Sequence, residues 1–187
     1  ILMVLDAEKL IRVQSADPGF EGNQGHKVQA ADHEPARSGG QGRQEKIVAF
    51  RIDDGEYGIA IDRVREIHHV DRIVSVPGMP GFVSGMAGLR GEMIPLVDMR
   101  ALFGIAGDSR HPPSKFLVVE RDKERIGLLV DAVSEVLGVS EERFKAASRL
   151  LEAESQKRFV DRICKLDDGN RHVMMVNVNA VFDEVKG

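Results

Sequence analysis

His68 and His69 are the only adjacent histidines in the chain, and a metal ion is the first chemistry such a pair suggests. Neighbouring side chains on a strand point to opposite faces, so the two cannot easily share one ion. Glu66 alone stands with them at ligand spacing, and no metal site is expected. Cys164 is the single cysteine, which excludes an intramolecular disulfide and a Cys-based zinc cluster. A lone cysteine reads as a small buried hydrophobe. Ser84 and Ser134 have no nearby His or Lys in sequence to serve as a base. Gly85-Met86-Ala87-Gly88 resembles a glycine-rich turn but lacks the strand–turn–helix setting that holds a phosphate. No H-E-x-x-H, G-x-S-x-G, Walker or dinucleotide fingerprint occurs. The common enzyme chemistries are therefore unsupported, and no cofactor is expected.

Two other groups point to binding. Leu89-Arg90-Gly91 is followed by Ile94-Pro95-Leu96-Val97-Asp98. Gly91 supplies turn freedom, so Arg90 projects from a loop apex. Pro95 cannot donate to a ladder, which predicts an edge or bulged strand. An edge strand with an arginine at its mouth suits docking, because Arg makes forked contacts with carboxylates and carbonyls. The same Arg90 could instead pair internally with Asp98 or Glu92, and spacing leaves both readings open. The second group is Val64-Arg65-Glu66-Ile67. Alternation puts Val64 and Glu66 on one face and Arg65 and Ile67 on the other, either as an apolar recognition patch with a charged rim or as ordinary sheet amphipathicity.

The elements that position these residues begin near Ile47. Strand-like runs cover 47–52, 57–61, 73–76, 93–97, 116–119, 126–130 and 173–178, with a hairpin turn at Asp53-Asp54-Gly55 and a loop at Pro77-Gly78-Met79-Pro80-Gly81. Many short strands predict a small barrel or sandwich. A helix is expected over 141–158, with Ser140 as its N-cap, Glu141 and Glu142 in its first turn, Lys157 and Arg158 in its last, and Phe144, Ala147, Leu150 and Leu151 on one face. Residues 15–45 read as a linker, and the segment before them as a frayed end or a short docking peptide. With 26 Lys+Arg against 30 Asp+Glu, the chain lacks the basic excess that nonspecific nucleic-acid binding needs. It has no apolar run near the ~20 residues of a membrane span, so no membrane insertion is expected. Ile1–Leu5 is stopped by Asp6 without a basic lead, a weak secretory signal, and the expected compartment is the cytoplasm.

The body also repeats itself. Residues 47–70 align without gaps on 116–139, with Asp53/Asp122, Gly58/Gly127, Asp62/Asp131, Val64/Val133, Glu66/Glu135 and Val70/Val139 identical. Further on, 94–103 lies on 173–182. The expected organisation is a tail over 1–45 and a duplicated domain over 46–187, its halves at about 47–108 and 114–185 with a partner groove between them.

The runs F-R-I-D-D-G-E-Y-G-I-A-I-D-R-V-R-E-I, V-P-G-M-P-G-F-V-S-G-M-A-G-L-R-G-E-M-I-P-L-V-D-M-R, I-G-L-L-V-D-A-V-S-E-V-L and K-L-D-D-G resemble, in order, the CheW family of chemotaxis coupling proteins. The resemblance implies a mainly β fold of two five-stranded SH3-like barrels with short helices and a flexible N-terminal tail. It implies a non-enzymatic adaptor between the cytoplasmic tips of chemoreceptors (methyl-accepting chemotaxis proteins) and the regulatory domain of a CheA-type histidine kinase. Such adaptors work in arrays beneath the inner membrane, assembled by multivalent contacts. By the same resemblance, Val64, Glu66 and Val136 belong to the receptor-binding groove, and Arg90, Gly91 and Asp98 to kinase coupling. Gly88 stands where the family usually has Asn, and Arg162 where it usually has Gly. Two alternatives follow: an adaptor for a pilus or surface-motility system, or a CheW-like module of a larger kinase or receiver-containing protein.

Overall fold

Asp53 adopts φ 54°, and there β1 (Gln44–Ile52) turns into β2 (Gly55–Ala60). The repeat does the same at Asp122 and Lys123, φ 51° and 72°, where β6 (Lys115–Arg121) turns into β7 (Glu124–Val130). Both are tight hairpins between strands that bury their apolar residues almost continuously. The computed structural model describes residues 43–105, 113–147, 151 and 154–187. The expected linker lies outside these residues, except that β1 already begins at Gln44. The remaining strands are β3 (Val64–His69), β4 (Val83–Leu89), β5 (Glu92–Asp98), β8 (Ala132–Ser140), β9 (Phe144–Ala146), β10 (Val160–Leu166) and β11 (Arg171–Val176).

The strands form two sheets, ordered β8-β1-β2-β11-β10-β9 and β3-β6-β7-β5-β4. Under the sequence repeat β1 matches β6, β2 matches β7, β3 matches β8, β4 matches β10 and β5 matches β11. The two orders are then the same, with β9 added to one. Neither sheet belongs to one half of the sequence: the hairpin β1–β2 completes the sheet of the second half, and β6–β7 completes that of the first. The duplication is as expected, but the halves are not separate barrels. Each hairpin exchange is sealed by a parallel pairing, β2 with β11 and β7 with β5. The repeated glycine sits at that seam. A Cβ on Gly127 would lie 2.4 Å from Leu96 Cδ2, and one on Gly58 would lie 3.0 Å from Met175 Sδ. A methyl at Gly127 forces Leu96 and Phe116 to move, while one at Gly58 asks its neighbours to give by only a few tenths of an ångström.

Each sheet has its own small core, and a larger one joins them. Ala87, Leu89, Ile94, Leu96, Phe116, Val118 and Leu129 form one small core, and Ile47, Val139, Cys164, Val173 and Met175 the other. Cys164 is fully buried there and burial pushes its thiol pKa up, so it is the inert hydrophobe that was expected. The joining core draws on both sheets and on α1 (Met99–Phe103), α2 (Glu154–Phe159) and α3 (Val178–Lys186). Phe50, Tyr57 and Phe103 stack in series within it, with centroids 6.1 and 5.1 Å apart. Each such buried ring contributes about 2–3 kcal/mol of transfer free energy.

Several expectations are corrected. The run 173–178 leaves the sheet at Val176 because Asn177 caps α3 by accepting from the Ala180 N–H at 3.1 Å. Of 73–76, only Val74 bridges a neighbour, Met86. Residues 85–88 are not a turn but lie inside β4. The helix expected over 141–158 is broken into a 3-10 turn at Glu141–Arg143, β9, and α2. The Ser140 side chain caps nothing. Pairing of β9 with β10 satisfies the backbone there, and Arg162 lies over the Phe144 ring at 4.7 Å. Lys157 and Arg158 do close α2; Leu150 lies outside the described residues. β5 is not an edge strand, since β4 and β7 flank it. Pro95 is tolerated because the ladder with β7 starts only at Leu96.

Candidate functional site

Leu89 pairs with Glu92, so Arg90 and Gly91 alone form the tip of the β4–β5 hairpin. Both take positive φ, 50° and 87°, which matches the primed two-residue turns that hairpins favour. Gly91 adopts this freely. Arg90 does so at a cost of order 1–3 kcal/mol, a strain that clusters at working sites.

Arg90 Nη2 meets Glu66 Oε1 at 3.2 Å. Neither internal partner considered for it, Asp98 or Glu92, takes that role. Asp98 caps α1, accepting from the N–H groups of Arg100 at 2.9 Å and Ala101 at 3.3 Å. Glu92 pairs with Arg125 at 3.3 Å. Glu66 Oε2 also hydrogen-bonds His68 Nε2 at 2.8 Å. A second chain of ion pairs runs alongside: Arg65–Glu120 at 3.1 Å, Glu120–Arg125 at 3.0 Å, then Arg125–Glu92. The Arg125 hydrogen bond, and after it Arg65, holds the Glu120 carboxyl below the usual carboxylate range. The charge of Arg125 also reaches Glu66. Residues that the sequence placed in two separate surfaces, Glu66 and Arg90, thus share one ionic cluster.

The expected alternation in β3 fails at one point. The register slips between Val64, opposite Val119, and Glu66, opposite Val118. A bulge inserts one residue and flips the faces beyond it. Val64 and Ile67 therefore both rest on the joining core, while Glu66 turns the other way, toward the strand position of Val118 in the small core. β8 repeats the bulge: Val133 lies opposite Phe50 and Glu135 opposite Ala49. Val133 and Val136 rest, partly buried, on the same joining core. Val64, Ile67, Val133 and Val136 thus occupy matching places on the joining core in the two repeats. Sequence reading singled out Val64 and Val136 and missed the other two, although the repeat alignment pairs Val64 with Val133 and Ile67 with Val136.

Next to the hairpin tip, a groove of about 510 Å³ is lined by Met93, Pro95, Ile126, Phe182 and Val185, with Glu92 and Arg125 at its rim. Met93 is 52% exposed. Among the described residues no cluster of three or more His, Cys, Asp or Glu could hold a metal ion, and no helix is long and apolar enough to cross a membrane.

The fold and these features define a duplicated β-barrel module with four matching half-buried aliphatic side chains and two neighbouring ion-pair chains beside one hairpin tip. The chain belongs to the CheW family: a model of the CheW-like domain matches residues 46–186. It is 30% identical over 146 residues to a probable chemotaxis protein CheW of Rhizobium etli, spanning 78% of this chain and 92% of that protein. It is 29% identical over 86 residues to Protein PilI of Pseudomonas aeruginosa, 46% of this chain and 48% of that one. The crystal structure of the scaffolding protein TtCheW from Thermoanaerobacter tengcongensis superimposes with a TM-score of 0.63 at 31% identity, covering 72% of this chain and 89% of that one.

Proposed function

We propose that the chain is a non-enzymatic adaptor that couples chemoreceptors to a CheA-type histidine kinase. The observation that carries this reading is the Arg90–Glu66 ion pair, which ties the hairpin tip to β3. In this reading the quartet Val64, Ile67, Val133 and Val136 takes the apolar face of a helical receptor hairpin. Glu66 takes a basic side chain of the receptor. Glu66 cannot serve that base and Arg90 with equal strength, so receptor engagement changes the tether on Arg90. The tip, with Gly91 and the adjoining Met93 groove, passes the change to the kinase regulatory domain. Asp98 contributes by capping α1 at the end of β5. Individual contacts are modest, and arrays in the cytoplasm beneath the inner membrane gain strength from multivalency.

The deciding experiment is a reconstituted receptor–kinase assay. Arg90→Ala keeps the fold but loses ligand control of kinase output, and intact ligand control in that variant rejects the coupling role. Val64→Asp weakens receptor pull-down; unchanged binding by the folded variant removes the quartet from the interface. The departures from the family pattern at Gly88 and Arg162 favour a second reading, an adaptor in a pilus or surface-motility system. Identifying the receptor and kinase that co-purify from native lysate separates the two.

A further inference from the structure

Glu66 divides its carboxylate between two donors of different kind. Oε1 faces Arg90, which is 53% exposed at a hairpin tip. Oε2 faces His68, which is 12% exposed. The His68 ring stacks on Phe116, 5.3 Å between centroids and 19° between planes, and Phe116 is part of the small core of that sheet. Glu66 and His68 lie two apart on β3, beyond the bulge, and so share one face. A half-buried, stacked imidazole has one orientation, and through its hydrogen bond it gives the carboxylate one orientation. The repeat shows that this is a device of one barrel only. The counterpart of His68 is Leu137, which packs on the other small core, and the counterpart carboxylate, Glu135, is held by Arg171 instead.

We infer that His68 is the positioning residue of Glu66: it holds one carboxylate oxygen and presents the other to Arg90 or to an incoming base. The consequence for receptor binding rests on the adaptor reading above; the positioning itself does not. The carboxylate so held faces Arg90 from the hairpin and lies in the field of Arg125 from β7. Arg125 is itself held by Glu120 of β6 and Glu92 of β5. Without the His68 contact Glu66 is free to rotate, which loosens Arg90 and weakens capture of a receptor base.

The test has two arms. In the isotope-labelled free protein, the Arg90 side-chain resonance should shift in His68→Leu and return toward its wild-type position in His68→Gln, which keeps an N–H near the Nε2 position. The second arm uses the cytoplasmic hairpin fragment of a chemoreceptor from the same genome. His68→Leu should bind it about fivefold more weakly than wild type, the scale of one exposed ion pair, and His68→Gln should bind like wild type. An Arg90 resonance indifferent to His68→Leu, or no rescue by folded His68→Gln, overturns the inference. If Glu66→Gln binds the fragment as wild type does, the adaptor role of Glu66 is what fails, and the resonance arm still decides the positioning.

Discussion

The two barrels carry the same glutamate in the same bulged strand, yet they treat it differently. In the second barrel Glu135 is held by Arg171 at 2.7 Å. Arg171 also grips Glu56 with two nitrogens, at 2.8 and 2.5 Å, and these hydrogen bonds, Glu56 first, push its pKa up. Arg171 opens β11, within the sheet and 29% exposed. In the first barrel the charges at the matching positions are reversed: Arg125 stands for Glu56 and Glu92 for Arg171. That reversal turns the strand-borne Arg125 to Glu120 and Glu92, and Arg90 pairs with Glu66 from a strained, exposed tip. The matching glutamate is thus locked within a sheet in one copy and held from an exposed tip in the other.

The largest effect expected from breaking this comparison is at the seam beneath both clusters. Gly127→Ala should cost about 2–3 kcal/mol and Gly58→Ala about 1 kcal/mol, because only the former brings a methyl against Leu96 at an impossible distance. Urea midpoints of the two variants check the order. Next, Arg171→Ala should lose about 1–2 kcal/mol by leaving Glu56 and Glu135 without their shared partner, while Arg90→Ala should stay within about 0.5 kcal/mol. Equal losses would end the distinction between lock and tip contact. Asp98→Ala and Asn177→Ala remove equivalent caps from α1 and α3, and each should cost about 1 kcal/mol.

A pH dependence marks one more position where the copies differ. Tyr57 stands where the first barrel has Ile126, and burial first, then Asp53, raises its phenol from 10.0 to about 12. A raised folded pKa gives stability that is complete below the unfolded value and lost as pH rises through the folded one. Stability should therefore decline between about pH 10 and about pH 12. Tyr57 is the only tyrosine, so tyrosinate absorbance in native and urea-unfolded protein reads both midpoints directly.

What was legible in the sequence was local or repeated. The Asp53-Asp54-Gly55 turn, most strands, the inert Cys164 and the projecting Arg90 follow from turn chemistry and apolar runs. The CheW resemblance and the duplication followed from residue identities. The hairpin exchange was not legible, because Gly58 and Gly127 announce a close approach without saying to which strand. The faces of β3 were misassigned because a bulge leaves no mark in an alternating run. The helix over 141–158 had good caps and charges, but long-range pairing of Phe144–Ala146 with β10 overrode them. Glu66 and Arg90 were each singled out, yet their meeting needs the fold.

The crossed hairpins also set an order for synthesis. The sheet β3-β6-β7-β5-β4 has all its strands once the ribosome has delivered Val130, whereas the other waits for β11, which ends at Val176. Once β8 ends at Ser140 it can cover the β1 flank, but the β2 flank stays unpaired until β11 arrives, the kind of edge that invites wrong partners. The first strands translated are among the last to be enclosed, so a nascent chain stalled between these two points carries one complete sheet and one hairpin with an exposed edge.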